Sequence, residues 1–357
     1  GRCRDPFVER LLEGFAFLTA RTQLKLEAEF PRFTQGLLET VYPDYLAPGP
    51  SCTIVSFELK RQEKSLLDGI AVPRHSSMES LRLKGSPTTC KFNTAHEVKL
   101  FGWEVASAEY LTTAAGGLNL GIRFPAIRGM RAAVRLKLKV CTTEPAPVNQ
   151  VKCDHLNLFI HGANADNLPS SLLEHILADG LGVIVQEPGD NLHRKSTFLP
   201  ASSISQGGFS PEEALLPMSP FGFEGHRILR EHFLLRQRGL FLDIRGIRAG
   251  LEKLAGTEVN FIIPLRDRRT ELEEFVQAPI FRLHCTPAVN LFRRRSNRVE
   301  VLPSHSENQI IIDRQRMMDY EIYSIQGVRG FRRTGSEEIE FRPFYLQPSA
   351  ISHEPAF

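Results

Sequence analysis

Near the start of the chain, apolar residues recur at Phe7, Val8, Leu11, Leu12, Phe15 and Leu18, and less regularly at Leu24 and Leu26. Spacings of three and four place these positions on one wide face of a helix. Asp5 and Pro6 supply the start, since an Asp side chain caps orphan N–H groups and Pro loses nothing at the first helical position. Phe17 falls off the stripe, so a second side of the helix is apolar as well. The pattern predicts that the helix stops at Phe30, because the residue before Pro31 avoids the α region. A second short helix is expected over 34–42, with Thr34 as its cap, and Pro43, Pro48 and Pro50 then form a stiff linker. The first helix is either the core helix of its own domain or a helix that packs on a partner subunit, and the pattern leaves both open.

From residue 51 the period changes to two. Strands are expected at 52–59, 90–93, 98–108, 118–124 and 134–141, with turns at Gly85-Ser86-Pro87 and Gly116-Gly117. In the run 131–140, Val134, Leu136, Leu138 and Val140 share one face, and Arg135, Lys137 and Lys139 stand on the other. That basic face is either solvated or a contact for an acidic partner. A strand at 155–162, a helix at 170–178 and a strand at 182–186 read as a small α/β element. Gly207-Gly208 and the prolines through Pro220 make a long irregular stretch of the kind that carries binding function. A helix at 225–235 with Ile228, Leu229, Phe233 and Leu234 apolar, strands at 240–244 and 259–263, and a helical turn at 270–275 follow. Strands and turns fill the chain from 278 on. Residues 283–328 in particular read as a rigid, loop-rich β surface with a charged rim.

Length changes the picture first: 357 residues exceed one ordinary core. The expected segments are a helical one at 1–48, a β-rich domain at 49–150, a mixed α/β domain at 151–277 and a β-rich domain at 278–357, truncated at its end. The fold class is therefore α+β: an N-terminal helical segment followed by β-rich, mixed α/β domains. Basic and acidic residues number 44 and 41, and this balance argues against a nucleic-acid partner. No run approaches the ~20 apolar residues needed to span a bilayer, so no direct membrane insertion is expected. The start lacks the continuous apolar stretch of a signal peptide and an initiator Met, as in a fragment or a processed chain. Six irregularly spaced cysteines fit reduced, mostly buried thiols. Twenty-four phenylalanines fit buried aromatics in a large packed body.

Catalytic grammar is missing. The phosphate-cradling glycine loops, the zinc-protease H-E-x-x-H and the G-x-S-x-G elbow do not occur. Cys153, Asp154, His155 and His161 form the most metal-like cluster, yet 155 and 161 lie about 20 Å apart along an extended strand. His284 and Cys285 are adjacent, so in a strand they point to opposite faces and neither activates the other. No catalytic residue, metal site or cofactor is expected.

Several blocks stand out: DPFVERLLEGFAFLTARTQLKLEAEFPRFTQGLLETVYPDYLAPGPS at 5–51, LNLFIHG at 156–162 and HRILREHFLLRQRGLFLDI at 226–244. LHCTPAVNLFRRRSNRVEV…DYEIYSIQGV at 283–328 and FRPFY at 341–345 continue the series. Together they resemble the TssF family (also called ImpG or VasA) of bacterial type VI secretion systems. The blocks run in family order across nearly the whole chain, with 60–90 and 186–222 matching loosely. Family proteins start earlier and continue well past Phe357, so the chain looks like a central fragment. The resemblance implies a structural wedge subunit of a contractile baseplate, similar in architecture to contractile phage-tail wedge proteins. Its implied place is the bacterial cytoplasm, docked at the inner-membrane secretion complex. Implied partners are TssG, a second TssF copy, TssK, TssE, the VgrG spike and the sheath. The implied mechanism is mechanical: hold the spike, template the sheath, and rearrange on firing to trigger contraction. Partner-interface candidates are Phe7, Leu11, Phe15 and Leu18 on the first helix, and Arg293, Arg294 and Arg295, whose other reading is a solvated turn. TPAVNLF and DYEIYSI are expected to secure the fold around that triplet. The alternative is a β-rich hydrolytic or carbohydrate-active enzyme with a dispersed active site, which requires a pocket of convergent carboxylates.

Overall fold

The computed structural model describes residues 5–60, 64–82, 88–112, 124–144, 146–162, 167–189, 195–218, 222–302, 304, 308–332 and 338–341. The helices are α1 (Pro6–Val41), α2 (Pro43–Leu46), α3 (Leu168–Asp179), α4 (Glu224–Leu234) and α5 (Arg248–Leu251). The strands open with β1 (Cys52–Ser56), β2 (Ile70–Val72), β3 (Ser77–Glu79), β4 (Lys91–Thr94), β5 (Val98–Leu100) and β6 (Trp103–Thr112). They continue with β7 (Ala132–Val140), β8 (His155–Ile160), β9 (Gly182–Gln186), β10 (Ser196–Pro200), β11 (Ile204–Gly207) and β12 (Phe241–Arg245). The series closes with β13 (Glu258–Leu265), β14 (Phe281–Arg282), β15 (Cys285–Val289), β16 (Val328–Phe331) and β17 (Glu338–Phe341). The chain divides into two compact units, one of Pro50–Leu216 with Ile228–Arg293, the other of Gly1–Gly49, Pro217–Arg227 and Arg294–Phe357.

The first of these units is a stack of antiparallel sheets. A five-stranded sheet in the order β10-β9-β13-β7-β6 supplies one wall of the main core. Val134, Leu136, Leu138 and Val140 of β7 point into it, as their alternation predicts, and each is buried. Leu156, Leu158 and Ile160 of β8 and Leu242 and Ile244 of β12 face them from a second sheet, ordered β11-β12-β8-β14. Leu172, Leu173 and Ile176 of α3 fill the same core. The far side of the second sheet carries Phe159 and Phe241, which pack with Cys285 and Ile54 of a third sheet, β1-β15-β4-β3. The strands flanking α3, β8 and β9, therefore enter different sheets. On the outer face of β7, Arg135 pairs with Glu109 and Lys137 lies 3.7 Å from Glu258, so the basic strip is locally neutralised. The expected strand at 118–124 lies almost wholly outside the described residues, as do both turns at 85–87 and 116–117.

Two polar networks pin this unit together, and neither is visible as a motif. The imidazole of His175, fully buried on α3, lies 2.8 Å from Asp179 and 3.0 Å from the Tyr110 hydroxyl, which also accepts from the Arg269 N–H at 3.0 Å. Burial pushes the Tyr110 phenol up. On α4 Glu231 is buried and paired with buried Arg238. Glu231 also accepts from the Leu215 and Leu216 N–H groups at 3.0 and 2.9 Å. Arg238 donates to Gly208 O, and Arg74 to Ala214 O at 2.6 Å. The irregular stretch expected to bind something is in its first half, 208–216, an anchored structural loop. The apolar positions of α4 divide: Leu229 and Phe233 are 56% and 71% exposed, while Leu234 packs half-buried against the cluster of Leu215, Leu216 and Leu235.

In the other unit α1 runs unbroken through Pro31, correcting the expected stop at Phe30 and the separate helix from Thr34. Pro31 has no N–H to give Glu27, but the turn is held by the Thr34 hydroxyl, which donates to Pro31 O at 3.0 Å and Phe30 O at 3.3 Å. Thr34 thus braces the helix interior instead of capping a new one. Residues 290–327 contain no strand among those described, so the expected DYEIYSI strand does not form. A strand needs a paired neighbour to satisfy its backbone, and no described strand pairs with this run. The hairpin β16–β17 follows it.

Candidate functional site

Most of the 36-residue α1 lies in solvent: every described side chain from Phe7 to Pro31 is exposed, and Thr34 and Leu38 are half-buried. The N-terminus is built as the sequence requires, with the Phe7 N–H donating to Asp5 at 2.9 Å, Pro6 in the first turn and Glu9 favourable to the dipole. At about 100° per residue, Phe7, Val8, Leu11, Leu12, Phe15, Leu18, Leu26, Phe30, Phe33, Leu37 and Val41 form one stripe roughly 160° wide. The four predicted residues Phe7, Leu11, Phe15 and Leu18 sit on it together, at 83%, 76%, 70% and 62% exposure. Phe17 and Leu24, 67% and 65% exposed, form a second, narrower strip behind it. Among the described residues nine phenylalanines, five of them on α1, are exposed, so the expectation of buried aromatics fails for this part of the chain. A contiguous apolar face of this size on a surface marks an interaction site.

The threonine hydroxyls on the stripe do not oppose its burial. The hydroxyls of Thr19 and Thr22 donate to Phe15 O and Leu18 O, each at 2.9 Å, as Thr34 does further on. Each threonine satisfies its donor within the helix and presents its methyl, so a partner can cover the face without orphaning a hydroxyl. The helix ends where the Tyr42 N–H donates to Leu38 O at 2.7 Å, and the Tyr42 ring packs 5.4 Å from His226.

The arginine triplet is split in its roles. Arg294 donates to the Tyr320 hydroxyl at 2.7 Å, lies over that ring at 4.5 Å and approaches Asp313 at 3.7 Å. Arg293 and Arg295 are exposed. The structure thus brings the four α1 candidates together, and gives Arg294 partners within its own chain.

The groups considered for chemistry take structural places. His155 is 3.1 Å from Asp243, and His161 packs on the Phe159 ring. Burial raises the Asp243 carboxyl, but the hydrogen bond and charge of His155, with the Asn157 amide, outweigh it and hold the group below its ordinary value. Burial pushes the Cys153 thiol up to about 12 and Cys52 to about 11, so neither supplies a thiolate. The described cysteines are all free. Burial lowers His284 to about 4, and its φ of 56° places it before β15 rather than in a strand. A groove of about 620 Å³ is lined by Glu58, Trp103, Glu104, Phe281, Arg282 and His284, among others. Among the described residues no three His, Cys, Asp or Glu are grouped to hold a metal ion, and no helix is long and apolar enough to cross a membrane.

Comparison with known proteins gives these features a setting. The family model described as "Type VI secretion system, TssF" matches residues 1–357. The type VI secretion system component TssF1 of Pseudomonas aeruginosa is 39% identical over 358 residues, covering 99% of this chain and 56% of that protein. The chain therefore spans little more than half the length of this relative. In fold it is similar to a chain of the TssK-TssF-TssG baseplate subcomplex of a type VI secretion system, solved by cryo-electron microscopy. The TM-score is 0.71 at 24% identity, covering 94% of this chain and 58% of that one. A chain of the type VI secretion baseplate complex matches with a TM-score of 0.52 at 24% identity, covering 98% of this chain and 56% of that one.

Proposed function

The chain belongs to the TssF family of type VI secretion systems, and on that premise we propose that it is a structural part of a baseplate wedge. The observation that carries this is α1: an exposed helix with a broad apolar stripe, a second apolar strip behind it and hydroxyls already satisfied. Such a helix gains its stability from neighbours rather than from its own propensity. It packs in a bundle with TssG and a second copy of the chain, contacting them through Phe7, Leu11, Phe15 and Leu18. Further contacts are with TssK, which accompanies TssF and TssG in the structurally similar baseplate subcomplex, and with TssE, the VgrG spike and the sheath. Arg293 and Arg295 meet a neighbouring subunit, while Arg294 stiffens that segment through Tyr320. The protein works in the bacterial cytoplasm, docked at the inner-membrane secretion complex. There it holds the spike, templates the sheath and triggers contraction.

The role is mechanical and not enzymatic. Family membership supports this, as do the raised thiols of Cys52 and Cys153 and the structural engagement of Glu231, His175 and Asp243. Affinity purification of the chain from its native host followed by mass spectrometry tests the reading. Recovery of wedge and spike proteins is expected, and a purification that yields none of them overturns it.

A further inference from the structure

The run from Tyr320 to Gln326 has the composition of a strand and stands unpaired. Tyr320, Ile322, Tyr323 and Ile325 are residues that favour a pleated, packed surface. Tyr320 already has extended dihedrals, φ −131° and ψ 132°. With a period of two, Tyr320 and Ile322 fall on one face of a strand, and Tyr323 and Ile325 on the other. Apolar groups on both faces are the pattern of a strand covered on two sides, not of one that borders solvent. Yet Ile322 and Ile325 are 38% and 47% exposed.

The backbone is as open as the side chains. Among the described residues, the N–H groups of Glu321, Ile322, Ser324, Ile325 and Gln326 donate to no backbone carbonyl. A row of unpaired backbone groups in a segment of strand formers is a template for strand addition. The run is nonetheless held in place at its start, where Arg294 donates to the Tyr320 hydroxyl at 2.7 Å and lies 4.5 Å from the centre of its ring. It leads into β16, which pairs with β17 in a sheet of two strands. A two-stranded sheet is marginal in water, and three or more strands with an apolar face are needed for independent stability.

The chain covers 56% of TssF1 and 58% of the matching chain of the baseplate subcomplex, so a large part of each lies outside the matched region. A strand carried by the same polypeptide reaches the open run without the loss of translational freedom that a separate subunit bears. We propose that residues 320–326 form a strand by pairing with a strand from the part of the protein outside these 357 residues. The inference concerns how the protein completes its own sheet and goes beyond the wedge role, which stands or falls on partner recovery instead.

Amide exchange read by mass spectrometry on peptides covering 320–327 tests it. The 357-residue chain, the full-length protein purified from its native host and free of partners, and the assembled baseplate are compared. Exchange at open-chain rates is expected in the 357-residue chain, and exchange at least about a hundredfold slower in the full-length protein alone. Equal rates in those two overturn the proposal, as does a native protein that proves to be 357 residues long. Protection that first appears in the assembled baseplate also overturns it and gives the strand to another subunit. Ser324→Pro and Ile325→Pro, made separately in the full-length protein, each remove one N–H. Neighbouring amides of a strand point to opposite edges, so at least one of the two variants should speed exchange of the segment by about tenfold or more. If neither does, no strand is paired there and the proposal fails.

Discussion

Replacing Glu231 by Ala removes the anchor of the 208–216 loop. Glu231 and Arg238 are 0% and 1% exposed, so the pair is shut away from water. Taking away one partner of a buried pair leaves an uncompensated charge, a loss of about 3–5 kcal/mol. The Leu215 and Leu216 N–H groups also lose their acceptor, at roughly 1–3 kcal/mol each where water does not replace it. Relaxation makes these losses less than additive, so a destabilisation of about 4–6 kcal/mol is expected, a large share of an ordinary domain's stability. In urea this lowers the unfolding midpoint by roughly 2 M at a slope of about 2–3 kcal/mol per M. Glu231→Gln keeps an acceptor for both amides and loses only the charge, and it is expected to fall between Ala and the parent. The double change Glu231→Met with Arg238→Met removes both charges together and should recover at least half of the loss. A Glu231→Ala change within about 0.5 kcal/mol of the parent would refute the reasoning.

Acid should expose His284. Its pKa is lowered in the folded state to about 4 from an ordinary 6.5, so the unfolded chain takes up the proton first. The stability it contributes is complete above pH 6.5 and is lost as pH falls toward 4, by about 3 kcal/mol. His284→Asn, which tolerates the φ of 56°, should flatten urea stability between pH 7 and 4.5, and a profile parallel to the parent's would contradict this. Pro31→Ala restores an N–H that reaches Glu27 O and removes a helix-breaking ring, worth up to ~3 kcal/mol locally. Amide exchange around residues 30–35 should slow by tenfold or more, and unchanged exchange would contradict this.

Local periodicity carried the reading furthest where one face is buried and one wet. The faces of β7, the position of α3 and the capped start of α1 follow from residue spacing alone. The four stripe residues of α1 were legible for the same reason, but whether that stripe serves a core or a partner is a matter of exposure, which spacing does not encode. Pro31 misled because its ring removes one N–H from a long helix without ending it, and the Thr34 hydroxyl braces the following turn at Phe30 O and Pro31 O. On α4 spacing does not reveal which positions are interior: Leu229 and Phe233 lie in solvent, while Arg227 and Glu231 are buried and Glu231 accepts from the 208–216 loop. DYEIYSI has strand chemistry and no strand, since pairing is decided by neighbours rather than propensity. The reverse holds for β1, whose partner β15 joins Cys52 to Val289 across most of the chain. The sequence offers no local sign of that pairing.

The central claim is that α1 is an assembly surface and not part of a core. The most direct measurement is the affinity of the chain for TssG with Leu11, Phe15 and Leu18 replaced together by Asp, set beside its urea unfolding midpoint. Each of the three side chains contributes about 1.5–3 kcal/mol if it becomes buried, so binding should weaken by at least a thousandfold. Because all three are already in solvent, the unfolding midpoint should stay where it is. Binding at parental affinity would contradict the account, as would a collapse of folding in place of assembly.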